Sequence, residues 1–178
     1  MNNVIEAKVR ELGLRRRIRL LTWFFIIGLV LSGATAIPLQ TEVNWLAKFT
    51  GAEKLAAEST GAPIWAIWLV KVQTALRETS ATHPILFYGT DWLAFGHFVI
   101  AVAFVGALRD PVRNIWLFKF GIIACVLVVP YALGMGALRG IPLYWRLIDC
   151  SFGVFGLVPL VLCYHWTRHL SQFKTGEA

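Results

Sequence analysis

Charge is scarce in this chain. Asp, Glu, Lys and Arg make up 15% of its 178 residues, where an ordinary soluble domain carries about 25%. So few charges cannot solvate a soluble globule of this size, and a disordered chain needs more charge and far less apolar content. Cysteine is scarce too. Three residues, with no C-x-x-C among them, exclude a secreted disulfide scaffold and argue against a four-helix disulfide oxidoreductase. There is no glycine-rich phosphate loop, no G-x-S-x-G elbow and no dinucleotide fingerprint; Gly134-Met135-Gly136 is too short and too apolar in its surroundings to serve as one. Internal repeats and low-complexity segments are also missing. What is abundant is apolar and aromatic: 57% hydrophobic residues, with 8 Trp and 12 Phe. That is the composition of an integral membrane protein, and the length allows one domain, taken here as residues 1–178.

A spanning helix needs roughly 17–25 mostly apolar residues, because a charge at the bilayer centre costs several kcal/mol. Four charge-free windows qualify: residues 20–41 after Arg19, 92–108 between Asp91 and Arg109, 120–138 after Lys119, and 150–167 between Asp149 and Arg168. Lys119 can snorkel, so the third span borrows Ile115 to Phe118. Spans are expected near 20–40, 91–108, 115–137 and 148–167. Trp23, Trp92, Trp116, Trp145 and Trp166 fall near their ends, as an aromatic belt requires. Arg15-Arg16-Arg17, an apolar stretch and Ala34-Thr35-Ala36 together resemble a secretory signal, but the apolar run is long for one, and a first span is the better reading.

With both termini on one side, that side holds 11 of the basic residues and the other holds 6. The richer side should be cytoplasmic, with residues 42–90 extracytoplasmic. The net charge of +7 is thereby accounted for by topology and by attraction to anionic lipid, and nucleic acid is not needed as a partner. The expected partners are membrane lipids, and protein partners within the membrane or further copies of the chain. No organelle-targeting segment is recognisable, so a bacterial inner (cytoplasmic) membrane is the expected location.

Between the spans, Arg109 to Asn114 reads as a tight turn in which Pro111 stops the second helix. Residues 138–146 form another short link. Residues 1–19 read as a cytoplasmic amphipathic helix running into the first span. Residues 62–78 place Trp65, Trp68, Leu69, Val72 and Leu76 at helical spacing, with Lys71, Gln73, Thr74 and Arg77 mostly elsewhere. This is the pattern of an interfacial amphipathic helix capping the bundle. Pro63 suits its first position, and Lys71 at its middle argues against a fifth span. A less regular helix is expected before it, around Val43–Phe49 or Ala52–Glu58. For packing, Gly28, Ser32 and Ala36 form a small-residue row, and Gly153 with Gly156 and Gly134 with Gly136 allow close approach. Pro130 and Pro159 should kink the third and fourth spans.

Candidate chemistry is sparse. Cys125, Cys150 and Cys163 fall at different depths and read as inert buried thiols. Haem held by two histidines needs them level on facing helices. His97 lies about 9 Å and His165 about 24 Å along spans of the same direction, so the cofactor is unassigned and haem is disfavoured. His165 and His169 have i, i+4 spacing, but Arg168 beside them disfavours a cation, and no metal site is assigned. The remaining cluster is at the extracytoplasmic end: Asp91, His97, Arg139, Tyr144, Arg146 and Asp149. Each has an ordinary account. Thr90 or Asp91, and likewise Asp149, would cap a helix N-terminus; Arg146 and Asp149 are spaced to pair at i, i+3; His97 can be a hydrogen-bonded core histidine. Together, ionisable residues so near or within spans point to a polar pocket beneath the 62–78 helix, suited to a polar headgroup, a quinone-like ring or a small anion.

The expected protein is therefore an all-α, integral membrane four-helix bundle with an extracytoplasmic interfacial helix. It is read as a non-catalytic accessory subunit or a small-ligand or lipid-binding bundle. The alternative is a compact intramembrane enzyme or a quinone- or haem-linked redox protein using the same residues. The topology is testable with cysteines at positions 60 and 112 in a chain lacking the three native thiols. Thr60→Cys should react with an impermeant thiol reagent added outside and Val112→Cys should not; outside labelling of position 112 would reverse the orientation.

Overall fold

A computed structural model of the chain describes residues 2–58 and 61–175. The described residues form seven helices and no strand: α1 (Asn2–Ala36), α2 (Leu39–Thr50), α3 (Ala52–Ala57), α4 (Ile64–Thr82), α5 (Ile85–Arg109), α6 (Ile115–Leu138) and α7 (Leu143–Thr175). Four of them, α1, α5, α6 and α7, are long and apolar enough to cross a membrane. The protein is an all-α multi-pass membrane protein, as the charge-free windows indicate.

Proline sets where these helices begin and end. The first apolar window runs on to residue 41, yet α1 stops at Ala36. Pro38 has no N–H to donate and its ring disfavours helical geometry at Ile37, so the chain turns and restarts as α2. α5 and α7 begin well before their charge-free windows, one residue after Pro84 and Pro142. The proline carbonyls accept the first helical N–H groups: Phe87 N donates to Pro84 O at 3.0 Å and Trp145 N to Pro142 O at 3.1 Å. Asp91 and Asp149 each lie six residues past their helix start. Neither is an N-cap, which corrects the capping roles expected of them. Pro130 and Pro159 stand inside α6 and α7, which continue through both.

The chain forms two compact units, Met1–Gly28 with Ile100–Ala178, and Leu29–Val99. The first contains parts of all four spanning helices. Its core is drawn from narrow stripes: Ile18, Thr22 and Ile26 on α1, Ala101, Phe104 and Ala107 on α5, Leu117 and Phe118 on α6, and Leu160, Cys163, Thr167 and Leu170 on α7. The spacing of three and four within each stripe is that of a helix presenting one face. Phe104 is at the centre, with no exposed surface. Its ring lies 4.7 Å from that of Phe25 and 6.3 Å from that of Phe118, and it fills the space over Gly121. Contacts fix the directions. The end of α5 meets the start of α6 through Phe104 and Phe118. The end of α7 meets the first half of α1, where Cys163 Sγ lies 3.9 Å from Thr22 Oγ1 and the Arg17 guanidinium lies over the Trp166 ring at 5.9 Å. α6 and α7 run antiparallel along their length. A Cβ at Gly153 would stand 2.6 Å from the Cys125 carbonyl oxygen, so only glycine admits this approach. All three cysteines are free.

The second unit holds the end of α1, helices α2 to α4 and the first part of α5. The expected small-residue row at Gly28 is not where helices meet: a Cβ there would touch nothing among the described residues. The close approach is one turn further on, at Gly33, where a Cβ would stand 2.9 Å from Phe98 Cε1 and 3.0 Å from the Ala94 carbonyl oxygen. α2, α3 and α4 pack through Val43, Ala47, Ala52, Ala66 and Leu69. Gln73, read as lying off the apolar face of α4, is instead only 6% exposed. Its amide donates to Asn44 Oδ1 at 3.1 Å and Glu53 Oε1 at 2.9 Å, tying α4 to α2 and α3. A buried amide is tolerated because its donors are satisfied.

Most large apolar side chains face outward. In the most apolar stretch of α6 only 6% of residues are buried, and the core of the first unit centres on Phe104. Phe104→Ala should therefore lower stability by about 3 kcal/mol or more. Phe155→Ala, at a residue 72% exposed, should change it by less than about 1 kcal/mol. Thermal unfolding of the purified protein in one detergent measures both.

Candidate functional site

The end of the α6–α7 pair is built by a tight reversal. Gly140 adopts φ +67°, a left-handed conformation open to glycine without strain. That lets Ile141 N donate to Gly136 O at 2.8 Å and Gly140 N to Ala137 O at 3.1 Å, closing α6 in a Schellman motif. Pro142 then starts α7 at once. Four of the six residues singled out from the sequence are placed here: Arg139 at the end of α6, and Tyr144, Arg146 and Asp149 along the first two turns of α7.

Arg146 does not pair with Asp149. Its side chain turns across to α6 and runs over Gly136, where a Cβ would collide with its Cγ and Cδ. Its Nη1 donates to the Leu133 carbonyl oxygen at 3.2 Å. The groove at Gly136 and a carbonyl at the far side outweigh the i, i+3 attraction, which is small between partly solvated groups. Two polar atoms at this end are buried without a hydrogen-bond partner among the described residues, Arg146 Nε and Tyr144 Oη. Asp149 is half-buried one turn further along α7, and Arg139 is exposed.

Asp91 and His97 belong to the other unit. Asp91 is exposed in the second turn of α5. His97 is half-buried, and its Nδ1–H donates to the Leu93 carbonyl oxygen at 2.8 Å, one turn back on its own helix. This is the hydrogen-bonded histidine that the sequence allowed, and it leaves Nε2 available. His165 and His169 are exposed on α7. Among the described residues no three His, Cys, Asp or Glu side chains cluster to hold a metal ion.

A further concentration of polar groups was not read from the sequence. Arg15, Arg16 and Arg19 of α1 and Arg109 of α5 border a cavity of about 640 Å³. Counting these residues by side explains orientation and nothing more; the signal was in the i, i+1, i+4 spacing, which puts the α1 arginines on one arc with Leu12 and Trp23.

No protein-family model, no curated protein and no solved structure matches this chain. Its fold defines it as a multi-pass α-helical membrane protein. The α6–α7 contact gives a direct check: Gly136→Ala must displace the Arg146 side chain and should cost about 1–3 kcal/mol in thermal unfolding. Adding Arg146→Ala should recover part of that loss, because the two positions share one space.

Proposed function

We propose that this multi-pass membrane protein is a non-catalytic binding bundle or accessory subunit that holds a small ligand at the Gly140 end of α6 and α7. The observation that carries the reading is the pair of buried, unpartnered polar atoms, Arg146 Nε and Tyr144 Oη. A polar atom buried without a partner costs roughly 1–3 kcal/mol, so it is a place where a ligand oxygen or water is expected. Arg Nε–H only donates, and the tyrosine hydroxyl donates or accepts. The fitting ligand therefore presents acceptor oxygens, as a polar lipid headgroup, a quinone-type ring or a small anion does. Arg139 adds charge at the rim, and Asp149 supplies an acceptor for a ligand hydroxyl. Asp91 and His97 are the candidates of the other unit, His97 through its Nε2. Among the described residues no arrangement of nucleophile, base and orienting group accompanies them, which supports reading the site as one of binding.

The protein sits in a bacterial cytoplasmic membrane with both termini inside, a reading supported by the 11-to-6 basic split. α4 and α2 lie in the outer interface. Their support is exposed apolar surface that would meet lipid: Ile64 and Trp65 on α4, where the Lys71 ammonium lies 5.5 Å from the Trp68 ring centre, and Trp45 with the 82%-exposed Phe49 on α2. Protein partners or further copies within the membrane would meet the lipid-facing sides of the spanning helices.

Native mass spectrometry of the purified chain tests the binding reading. Wild-type protein should retain a small non-protein species or a fixed stoichiometric partner, and Arg146→Met and Tyr144→Phe should weaken retention about tenfold. Wild-type protein that carries neither would overturn it.

A further inference from the structure

The cavity bordered by Arg15, Arg16, Arg19 and Arg109 belongs wholly to the unit that holds α6 and α7, between the first half of α1 and the end of α5. Its volume of about 640 Å³ is within the roughly 300–1,000 Å³ of small-molecule sites. Four arginines line it, and among the described residues one carboxylate pairs with them: Glu11 Oε1 accepts from Arg15 Nε at 2.8 Å. Arg16, Arg19 and Arg109 are exposed and have no ion-pair partner among the described residues. The rest of the lining is apolar and includes Leu20, Trp23 and Leu108, on the two helices that carry the arginines.

Like charges gathered at one place repel, and the low-dielectric wall beside them weakens the screening that water provides. An anion at the centre removes that repulsion. The planar guanidinium matches phosphate oxygens in two-point contact, which a lysine does not. A free phosphate, however, would leave Leu20, Trp23 and Leu108 uncovered. A phospholipid satisfies both halves, its phosphate among the arginines and its acyl chain along the apolar wall, in line with the basic pockets between spanning helices that hold anionic headgroups.

From this charge and shape we infer that the cavity binds one anionic phospholipid of the adjoining leaflet, with Arg16, Arg19 and Arg109 on the phosphate and Trp23 against the chain. The site is separate from the Gly140 end of α6 and α7 and stands or falls independently of the ligand proposed there.

The experiment uses the full-length protein in nanodiscs or detergent, with phosphatidylglycerol and phosphatidylcholine of identical chains. The triple variant Arg16→Gln, Arg19→Gln, Arg109→Gln is compared with Arg10→Gln, Arg113→Gln, Arg168→Gln, which removes the same charge away from the cavity. Wild type and the second variant should retain phosphatidylglycerol over phosphatidylcholine, and the cavity variant should bind it at least about tenfold more weakly. Equal binding by both variants, or equal loss, would show a diffuse basic surface and overturn the site. Competition by inorganic phosphate as effective as that by the lipid would overturn the lipid assignment in favour of a free anion. A second arm does not depend on the triple variant folding. Phosphatidylglycerol with brominated chains should quench tryptophan fluorescence more than brominated phosphatidylcholine does, and Trp23→Phe should abolish the excess. An excess that survives Trp23→Phe would place the chain elsewhere and sink the proposal.

Discussion

Hydrocarbon offers a backbone N–H or C=O no hydrogen-bond partner, so a chain that crosses a membrane must satisfy those groups within itself. Nearly every feature of this protein follows from that constraint. The spans are helices because only a helix pairs its backbone internally over their length. The breaks between them fall where a proline removes a donor, at Pro38, Pro84 and Pro142, and where Gly140 can turn the chain back while its neighbours' N–H groups close the end of α6. Outside the core, Leu, Ile, Val and Phe face outward freely, because lipid is as apolar as they are. A small buried set around Phe104 is enough to hold four helix segments together.

Polar groups are tolerated in such a chain chiefly at its ends or where a partner is supplied, and Gln73 and Arg146 show how. Gln73 is buried because Asn44 and Glu53 accept from its amide. Arg146 lies along α6 because Gly136 leaves room and the Leu133 carbonyl accepts. Where the chain supplies no partner, a ligand becomes the natural complement. The two proposals rest on such groups: Arg146 Nε and Tyr144 Oη at one end of α6 and α7, and Arg16, Arg19 and Arg109 on α1 and α5.

The spans were legible because charge exclusion from a bilayer is a strong, local rule that composition alone can express. The helix limits were less so. Reading Asp91 and Asp149 as caps followed the charges, but a proline carbonyl receives the first N–H groups seven residues earlier, and the aspartates became second-turn residues. The small-residue row named Gly28, and the close approach came at Gly33, since periodicity cannot tell which side of a helix a neighbour will occupy. Gln73 looked like a surface residue because its type is polar, and only its two partners, twenty and twenty-nine residues away, reverse that.

The sequence by itself determined that this is an all-α membrane protein with four spans, and that its polar residues collect at the ends, because the cost of charge in hydrocarbon acts on each residue separately. It also nominated Arg139, Tyr144, Arg146 and Asp149, which do stand together at one end of α6 and α7. Only the tertiary structure decided that Arg146 leaves Asp149 for the Leu133 carbonyl, and that arginines of α1 and α5 border one cavity. Those outcomes depend on which helix faces meet and at what depth. That is set by glycine-sized gaps and the seat of Phe104, contacts between residues far apart in the chain that no local pattern encodes.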